Sequence, residues 1–385
     1  MIARIFIFLL LAIVLPDSYV FMRYLRHRTD LPRWVHVLWW LPGVALCAYT
    51  LALASLRNFA PVDIFWLNLY LLLMGVAVAP KLVFVLSSLL GRAFRHLFRL
   101  KRNWGNYVGV VLVLLVLAAV IEGSMFGTRR FQVRRVSLSF PTLPQKFDGY
   151  TIVQFSDAHL GSSQGDFLRL VVDSINAQQA DLVVFTGDLQ NMLPHEVRPY
   201  AQTLRAIRAR DGVFSILGNH DYSMYVSAPQ EEKAALERTL IREEKQLVWH
   251  LLRNQSATLR RDADSIVVAG EENGGTKRFP QKDDLGKTLQ GIGPEAFVVM
   301  LQHDPSAWRR SILPGSNAQL TLSGHTHGGQ LSIFGVRPTQ FTTKEDYGLY
   351  QAQGRWLNVT GGIGGFVPFR LGMKPEIVVI TLRRK

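Results

Sequence analysis

The sequence has 385 residues, 48% of them hydrophobic, and a formal net charge of +14. This length exceeds what one ordinary globular domain needs, so we expect at least two structural units. The charge is uneven, because residues 1–135 hold 16 Lys and Arg against 4 Asp and Glu, whereas residues 136–385 hold 27 against 25. A nucleic-acid-binding domain carries its basic excess on its folded polar part, which is almost neutral here, so we exclude a nucleic-acid partner. The only cysteine, Cys47, excludes an intrachain disulfide and a cysteine-based zinc or redox site.

Four apolar stretches fill the first third of the chain, and each is about long enough to cross a bilayer. They are residues 5–22, 34–56, 64–90 and 107–126. The charged residues Asp17, Lys81 and Glu122 have two readings: charges near helix ends that reach toward water, which we favour, or a functional site within the membrane. The first stretch also has the length of a signal peptide, but no small-residue cleavage site follows it. We therefore predict a membrane region of four helices over residues 1–135 and a second domain over 136–385.

Basic residues between the apolar stretches predict the orientation of the chain. Four Arg lie within residues 23–33 and five Lys or Arg within 91–105, whereas the intervening loop has only Arg57. By the positive-inside rule the two basic loops face the cytoplasm, which places the second domain outside it. Four arginines within 129–135 argue for the opposite side. They precede a long domain, however, and long domains translocate largely regardless of their charge.

From about residue 136 the pattern changes to short, β-branched apolar runs separated by polar turns and helical stretches. The predicted strands are 150–155, 182–185, 213–216, 265–269, 297–301 and 318–322, with a second group at 330–334, 356–359 and 377–382. Predicted helices cover 166–178 and 196–209, and the charged segment 229–253 is interpreted as an exposed helix that leaves the core. Alternating strands and helices followed by strand-rich sequence predict an α/β domain with a central layered sheet.

Side chains that can bind metal recur just beyond the ends of five predicted strands. They are Asp157 and His159, Asp188, Asn219 with His220 and Asp221, His303, and His325 with His327. In open α/β sheets the ligand crevice lies at the carboxyl ends of the strands, so five such turns can converge on one place. Carboxylate, imidazole and amide oxygen together suit a pair of divalent ions, either Mn, Fe or Zn. Each short motif alone arises by chance, but the ordered set favours a metal site over five structural turns.

The same motifs, in this order, resemble the signature of the calcineurin-like metallophosphoesterase superfamily. They read Asp157-Ala158-His159, Gly187-Asp188, Gly218-Asn219-His220-Asp221, His303 and Gly324-His325-Thr326-His327. The glycine-rich segment 361–365, followed by Pro368-Phe369-Arg370, is similar to the bacterial membrane-associated branch of that superfamily. The resemblance implies an α/β fold in which helices flank a layered β-sandwich, here preceded by the α-helical membrane region.

The resemblance also implies a role for each residue. One metal would take Asp157, His159 and His327, the other Asn219, His303 and His325, and Asp188 would bridge them. His220 would be a proton donor or charge stabiliser for the leaving oxygen, with Asp221 orienting it. An activated water would attack phosphorus in line, with no covalent enzyme intermediate.

Two segments depart from the superfamily pattern, and one residue has two readings. Leu160-Gly161 and Leu189-Gln190-Asn191 stand where many relatives carry another acidic or polar residue, so we expect the substrate side to differ. Asp304 either supports the site from behind His303 or forms a turn with Pro305.

The favoured function is metal-dependent hydrolysis of a phosphodiester or pyrophosphate at a membrane surface, on a lipid-linked or envelope substrate. The superfamily includes enzymes that cleave the pyrophosphate of a UDP-diacylglucosamine lipid precursor, but that cytoplasmic substrate conflicts with the predicted orientation. The alternative is a phospho-ligand sensor or a transporter without catalysis. All seven ligand positions are intact and the spans lack the repeated broken segments of alternating-access transporters, so we expect a catalytic domain on a plain anchor in the lipid bilayer. The sequence predicts no oligomeric state.

Overall fold

The computed structural model describes residues 2–163, 165–275 and 279–385. Its internal contacts divide the chain into two units, one ending at Met125 and the other beginning at Phe126.

The first unit is helical throughout its apolar stretches. Its helices are α1 (Phe6–Val20), α2 (Arg33–Leu38), α3 (Leu41–Ala54), α4 (Ile64–Leu73), α5 (Ala79–Leu97) and α6 (Trp104–Ile121). Short π-helical turns join or extend them at Phe21–Leu25, Met74–Val78 and Glu122–Phe126. Together they form four segments that are long and apolar enough to span a membrane: Phe6–Leu25, Arg33–Ala54, Ile64–Leu97 and Trp104–Phe126. The four predicted spans are thereby confirmed as helices.

Two of the charged residues within these spans form an ion pair. Lys81 Nζ lies 2.5 Å from Asp17 Oδ1, and the Asp17 side chain is 2% exposed. The Trp39 indole N–H donates to the Asp17 carbonyl oxygen, and the Lys81 ammonium lies over the Trp39 ring. The interpretation that Asp17 reaches toward water is therefore wrong. Pairing between helices lowers the cost of holding both charges at membrane depth.

The second unit contains two six-stranded sheets. The first has the order β1-β12-β2-β3-β4-β5 and the second the order β10-β11-β9-β8-β7-β6. The strands are β1 (Gln132–Phe140), β2 (Thr151–Phe155), β3 (Leu182–Phe185), β4 (Val213–Ser215), β5 (His250–Leu251), β6 (Gln255–Arg261), β7 (Asp264–Gly270), β8 (Phe297–Leu301), β9 (Leu320–Ser323), β10 (Gly348–Ala352), β11 (Arg355–Val359) and β12 (Glu376–Arg384). The helices are α7 (Gly165–Ala177), α8 (Ala201–Arg205), α9 (Gln230–Lys245), α10 (Leu285–Thr288) and α11 (Leu313–Gly315).

The two sheets pack face to face, with helices on their outer faces. Ile152 and Val184 of the first sheet share one buried core with Val268, Val299 and Leu322 of the second. The opposite faces of the sheets carry two further cores, one against α7 and α9 and one against residues 307–313. Strands that are buried on both faces read as continuous apolar runs, which explains the sequence of β3 and β8. The predicted layered β-sandwich flanked by helices is confirmed.

Parallel pairing brings the predicted ligand turns to one edge of the sandwich. In the first sheet β2, β3 and β4 are parallel neighbours, and in the second β7, β8 and β9 are parallel neighbours. The segments after β2, β3, β4, β8 and β9 therefore leave the sheets at carboxyl ends that lie side by side.

Some predicted elements differ from the structure. Helix α9 does not leave the core, because Leu240 is fully buried against the first sheet on a narrow apolar stripe that the charged composition obscures. The segment 196–209 contains only short 3₁₀ turns and α8. Residues 330–334 form no strand, and their only ladder contacts are isolated bridges. The strands β11 and β12 belong to the two main sheets and not to a separate group.

Candidate metal centre

The seven predicted ligands meet at this edge of the sandwich. Donor atoms of Asp157, His159 and His327 lie within 4.8 Å of one another, and so do those of Asp188, His303 and His325. Asp188 Oδ2 stands between the two groups, 3.7 Å from His159 Nε2 and 3.2 Å from His303 Nε2. Asn219 completes the second group, since its Oδ1 lies 3.2 Å from His303 Nε2 and 2.7 Å from His325 Nδ1.

Three imidazoles are held by hydrogen bonds from Nδ1. His159 Nδ1 donates to the Asn191 side-chain oxygen (3.0 Å), His220 Nδ1 to the Asn191 carbonyl oxygen (2.6 Å) and His303 Nδ1 to the Thr186 carbonyl oxygen (2.7 Å). Because these oxygens only accept, each Nδ1 carries a hydrogen, and Nε2 is the ring nitrogen that is left to bind a metal or to exchange a proton. This is the arrangement in which protein groups orient histidines that bind metal.

The electrostatics of the site favour added positive charge. Burial lowers the pKa of His159 to about 3, so its ring is neutral and its lone pair is free at neutral pH. Burial alone would raise the pKa of Asp188, but the charges of His303 and His220 hold it well below its usual range. Burial likewise opposes charge on His303, yet Asp188 raises its pKa to about 10, so a cation at Nε2 would take the place of a proton.

The donor set fits a pair of divalent cations. His159 Nε2 is buried and makes no hydrogen bond, although a polar atom enclosed in this way normally has a partner. Two buried carboxylates, an amide oxygen and four imidazoles provide the nitrogen and oxygen donors that Mn, Fe and Zn accept. Asp188 lies between the two groups, where its carboxylate could be shared by two cations.

Five of the seven predicted ligands have left-handed backbone conformations. The φ angle is +54° at Asp157, +45° at His159, +62° at Asp188, +75° at His325 and +52° at His327. Residues with a Cβ rarely adopt this region, and such residues cluster at functional sites where the surrounding structure holds them in place. The turns therefore direct these side chains toward the site, at a cost in backbone energy.

Glycine is required at two close approaches in the site. A Cβ on Gly218 would lie 2.2 Å from Asp188 Oδ1, and a Cβ on Gly364 would lie 2.2 Å from the Ala158 carbonyl oxygen. The second contact belongs to the glycine-rich segment 361–365, whose Gly364 N–H donates to the Asp157 carbonyl oxygen at 2.8 Å. This segment packs on the first ligand turn and holds it from outside the sheets.

Asp221 does not orient His220, and that expectation is corrected. Its carboxylate is fully buried and accepts hydrogen bonds only from backbone N–H groups, which are those of Asp188 (2.8 Å), Leu189 (2.9 Å), Gln190 (3.2 Å) and Gly218 (2.8 Å). A buried carboxylate needs such donors, and the two adjoining turns supply them. Asp221 thus joins the Asp188 turn to the Asn219 turn, and the group that orients His220 is the Asn191 carbonyl.

We predict that Asp221→Asn destabilises the fold. The new amide would place its NH₂ group against backbone N–H donors, and donors left unsatisfied cost about 1–3 kcal/mol of unfolding free energy. Thermal unfolding of the full chain in detergent should therefore show a lower midpoint than wild type. The matched control is Asp262→Asn, because the Asp262 side chain is 73% exposed. Equal midpoints for the two variants would contradict the bracing role of Asp221.

The segment that follows Asp188 has a larger role in the site than the sequence predicts. Asn191 orients both His159 and His220, and the Gln190 side chain donates to the His220 carbonyl oxygen at 3.1 Å. Glu196 in turn accepts from the backbone N–H of Asn191. The two departures at Gln190 and Asn191 therefore act on histidine positions, whereas the sequence pointed to the substrate side. An amide directly after the Asp188 turn was the available signal.

Asp304 forms the turn and also lies beside the site, next to His325 and not behind His303. Its Oδ1 accepts from the Ser306 N–H at 2.8 Å, which forms the turn, and its Oδ2 lies 3.7 Å from His325 Nε2.

Two family profiles match the chain. The profile described as "Calcineurin-like phosphoesterase" matches residues 150–329. The profile described as "Probable Calcineurin-like phosphoesterase, transmembrane domain" matches residues 3–128. The first range contains all nine predicted site residues, and the second contains the four apolar helices.

Three curated relatives illustrate what the chain is similar to. The "Uncharacterized metallophosphoesterase YkuE" of Bacillus subtilis is 30% identical, with 70% of this chain and 93% of that protein covered. The "Transmembrane protein with metallophosphoesterase domain" of Danio rerio is 29% identical over 73% of this chain, which spans only 64% of that relative's length. The "UDP-2,3-diacylglucosamine pyrophosphatase LpxG" of Chlamydia muridarum is 27% identical, with 62% of this chain and 86% of that protein covered.

Proposed function

We propose, for a chain that belongs to the calcineurin-like phosphoesterase family and carries a four-helix membrane domain, that it hydrolyses a phosphodiester or pyrophosphate bond with two divalent metal ions. The observation that carries this proposal is the placement of Asp188 between two donor groups, one with His159 and one with His303. Two cations held there would neutralise charge on the phosphoryl oxygens and activate water.

Each residue in the site has a proposed task. Asp157, His159 and His327 hold one cation, Asn219, His303 and His325 the other, and Asp188 both. His220 lies beside this group, and its Nε2 is free to face the reacting phosphoryl group, because Nδ1 is bonded to Asn191. Burial lowers the pKa of His220, so we propose that its imidazolium forms beside the negatively charged phosphoryl group and donates a proton to the leaving oxygen. Asn191 and Asp221 are positioning residues.

Two observations support a lipid-linked or envelope substrate. The membrane domain keeps the catalytic domain at a bilayer, where lipid-linked substrates are concentrated. One relative is, by its name, a pyrophosphatase of a diacylated nucleotide sugar. We propose the same chemical class, a phosphodiester or pyrophosphate next to a lipid, as the substrate of this chain.

The proposal is tested by titrating Mn²⁺ into purified full-length protein with bis(p-nitrophenyl) phosphate as substrate. We expect hydrolysis that rises with Mn²⁺ and saturates, and that a chelator abolishes. Binding of Mn²⁺ without turnover of this diester or of a pyrophosphate lipid would contradict catalysis and favour a phospho-ligand sensor.

We also predict that the catalytic domain lies on the extracytoplasmic face. The prediction rests on the basic loops at 23–33 and 91–105, which the positive-inside rule keeps in the cytoplasm. An impermeant protease added to intact spheroplasts should therefore remove everything after about residue 135. Protection until the membrane is lysed would place the domain in the cytoplasm and make nucleotide-linked lipid precursors the better substrate class.

A further inference from the structure

A loop with exposed apolar side chains follows the last metal-binding motif. We call residues 331–341 the apolar loop. Phe334 at its tip is fully exposed, and Phe341, Ile333 and Val336 are 77%, 53% and 49% exposed. Single exposed apolar residues are ordinary on protein surfaces, but four large ones within nine residues mark an interaction surface.

The loop presents these side chains from a defined turn. Ile333 and Val336 exchange backbone hydrogen bonds of 3.0 Å in both directions, and the two residues between them, Phe334 and Gly335, have φ angles of +51° and +83°. Such turns favour Asn, Asp or Gly at both central positions, and a bulky side chain there is unusual. A phenylalanine at the first position therefore costs backbone energy, and the result is an aromatic ring held at the exposed tip of the turn.

Further contacts fix the base of the loop. The Ser332 N–H donates to the Leu371 carbonyl oxygen at 2.7 Å, and the Leu371 N–H donates to the Gln330 carbonyl oxygen at 2.9 Å. The Arg337 guanidinium donates to both carboxylate oxygens of buried Asp346, at 2.7 and 3.0 Å. The exposure of the tip is thus a property of an anchored structure.

A lipid bilayer is the partner that fits this surface. The chain has four candidate spans, which tether the second domain to a bilayer. The bilayer surface is therefore present at a high effective concentration around the loop. The patch is a few side chains wide, which is far less than a stable protein interface of roughly 1,000 Å² or more requires. Aromatic side chains favour the lipid–water interface, and the exposed Lys344, three residues after the loop, suits anionic headgroups.

The loop is also joined to the surroundings of the metal centre. It begins four residues after His327, and the Gln330 side chain at its base donates to the Val367 carbonyl oxygen at 3.0 Å. Gln330 and Val367 both line a small cleft whose other walls include Phe167, Ile363 and Pro368. Gln330, at the base of the loop, is thus part of the wall of this cleft.

We propose that the apolar loop inserts Phe334 and its neighbours into the lipid–water interface and so holds the site-bearing edge of the catalytic domain at the bilayer. This contact is additional to the spans and does not depend on which phosphoester is cleaved.

The experiment uses full-length protein in proteoliposomes. Cys47→Ser removes the native thiol, Val336→Cys takes an environment-sensitive fluorophore, and doxyl groups on the upper acyl chain serve as quenchers. The matched control carries the label at Gln353→Cys, which is exposed in the turn between β10 and β11. We expect quenching at 336 and not at 353, and loss of quenching at 336 on adding Phe334→Ser. Equal quenching at the two positions would overturn the proposal, as would self-quenching at 336 that depends on protein density, which would show a contact between copies.

A kinetic comparison separates this proposal from the proposed reaction. Phe334→Ser should raise the KM for a fluorogenic phosphodiester lipid in vesicles by about tenfold, because the variant loses one aromatic side chain that the wild type buries in the bilayer. It should leave kcat/KM for bis(p-nitrophenyl) phosphate unchanged, because Phe334 is outside the metal centre. An equal fall in kcat/KM for the lipid and for bis(p-nitrophenyl) phosphate would overturn membrane docking. If wild type hydrolyses neither substrate, the proposed reaction fails, while the quenching result still decides the role of the loop.

Discussion

Replacement of Asp188 by Asn is expected to reduce activity more than removal of any other single predicted ligand. Its carboxylate lies between His159 and His303, so the loss of one negative charge weakens the binding of both proposed cations at once. A metal contributes several kcal/mol to stabilising the transition state, and each ~1.4 kcal/mol is a factor of ten in rate, so we expect kcat/KM to fall by at least ~10⁴-fold. Metal analysis should show loss of both ions.

The comparison variants are His159→Ala and His325→Ala, each of which removes a donor from one group only. We expect each to lose chiefly one ion and to retain more activity than Asp188→Asn. Asp188→Asn with both ions bound and near-normal turnover would refute the bridging assignment.

His220→Ala should retain metal but lower turnover by about 10²–10⁴-fold, the usual contribution of a positioned proton donor. The hydrogen bond from Nδ1 to the Asn191 carbonyl fixes the ring, and only the imidazolium can donate from Nε2. The loss should therefore be largest for substrates with poor leaving groups, and smaller for a p-nitrophenyl ester, whose leaving group needs little protonation.

The metal content of His220→Ala is the decisive control. Donor atoms of His220, His159 and Asp188 lie within 4.8 Å of one another, so this histidine is also near enough to bind an ion. Loss of an ion in the variant would make His220 a ligand. Unchanged metal together with an equal loss for good and poor leaving groups would make it a stabiliser of charge and not a proton donor.

The strands at the centre of the sandwich were predictable because burial on both faces leaves a simple pattern. Leu182–Phe185 and Phe297–Leu301 are continuous apolar runs, and their predicted bounds equal those of β3 and β8. Strand β1 was not predicted, because its exposed and half-buried positions carry Gln132, Arg134 and Arg135. An edge strand with polar side chains does not differ from a loop in composition.

Convergence of the metal-binding side chains was predictable for a similar reason. Their residue types are chemically distinctive, and parallel strands carry their carboxyl ends to one edge. The bonds of Asp221 and the bond from His220 to the Asn191 carbonyl were not predictable, because each involves a backbone N–H or carbonyl group, which nearly every residue possesses. Which of them meets a given side chain depends on the path of the turns in three dimensions.

At five proposed ligands the left-handed backbone lowers the stability of the fold, while the side chain at the same position is needed for metal binding. Each such conformation costs roughly 1 kcal/mol or more, so together they approach the ~5–15 kcal/mol stability of a whole domain. Glycine at Asp157, His159 or His327 would relieve this strain while removing a ligand. In a relative under no selection for catalysis, the substitutions that remove a metal ligand could therefore also make the fold more stable. Under the proposed function, selection for hydrolysis is what keeps these five residues in place.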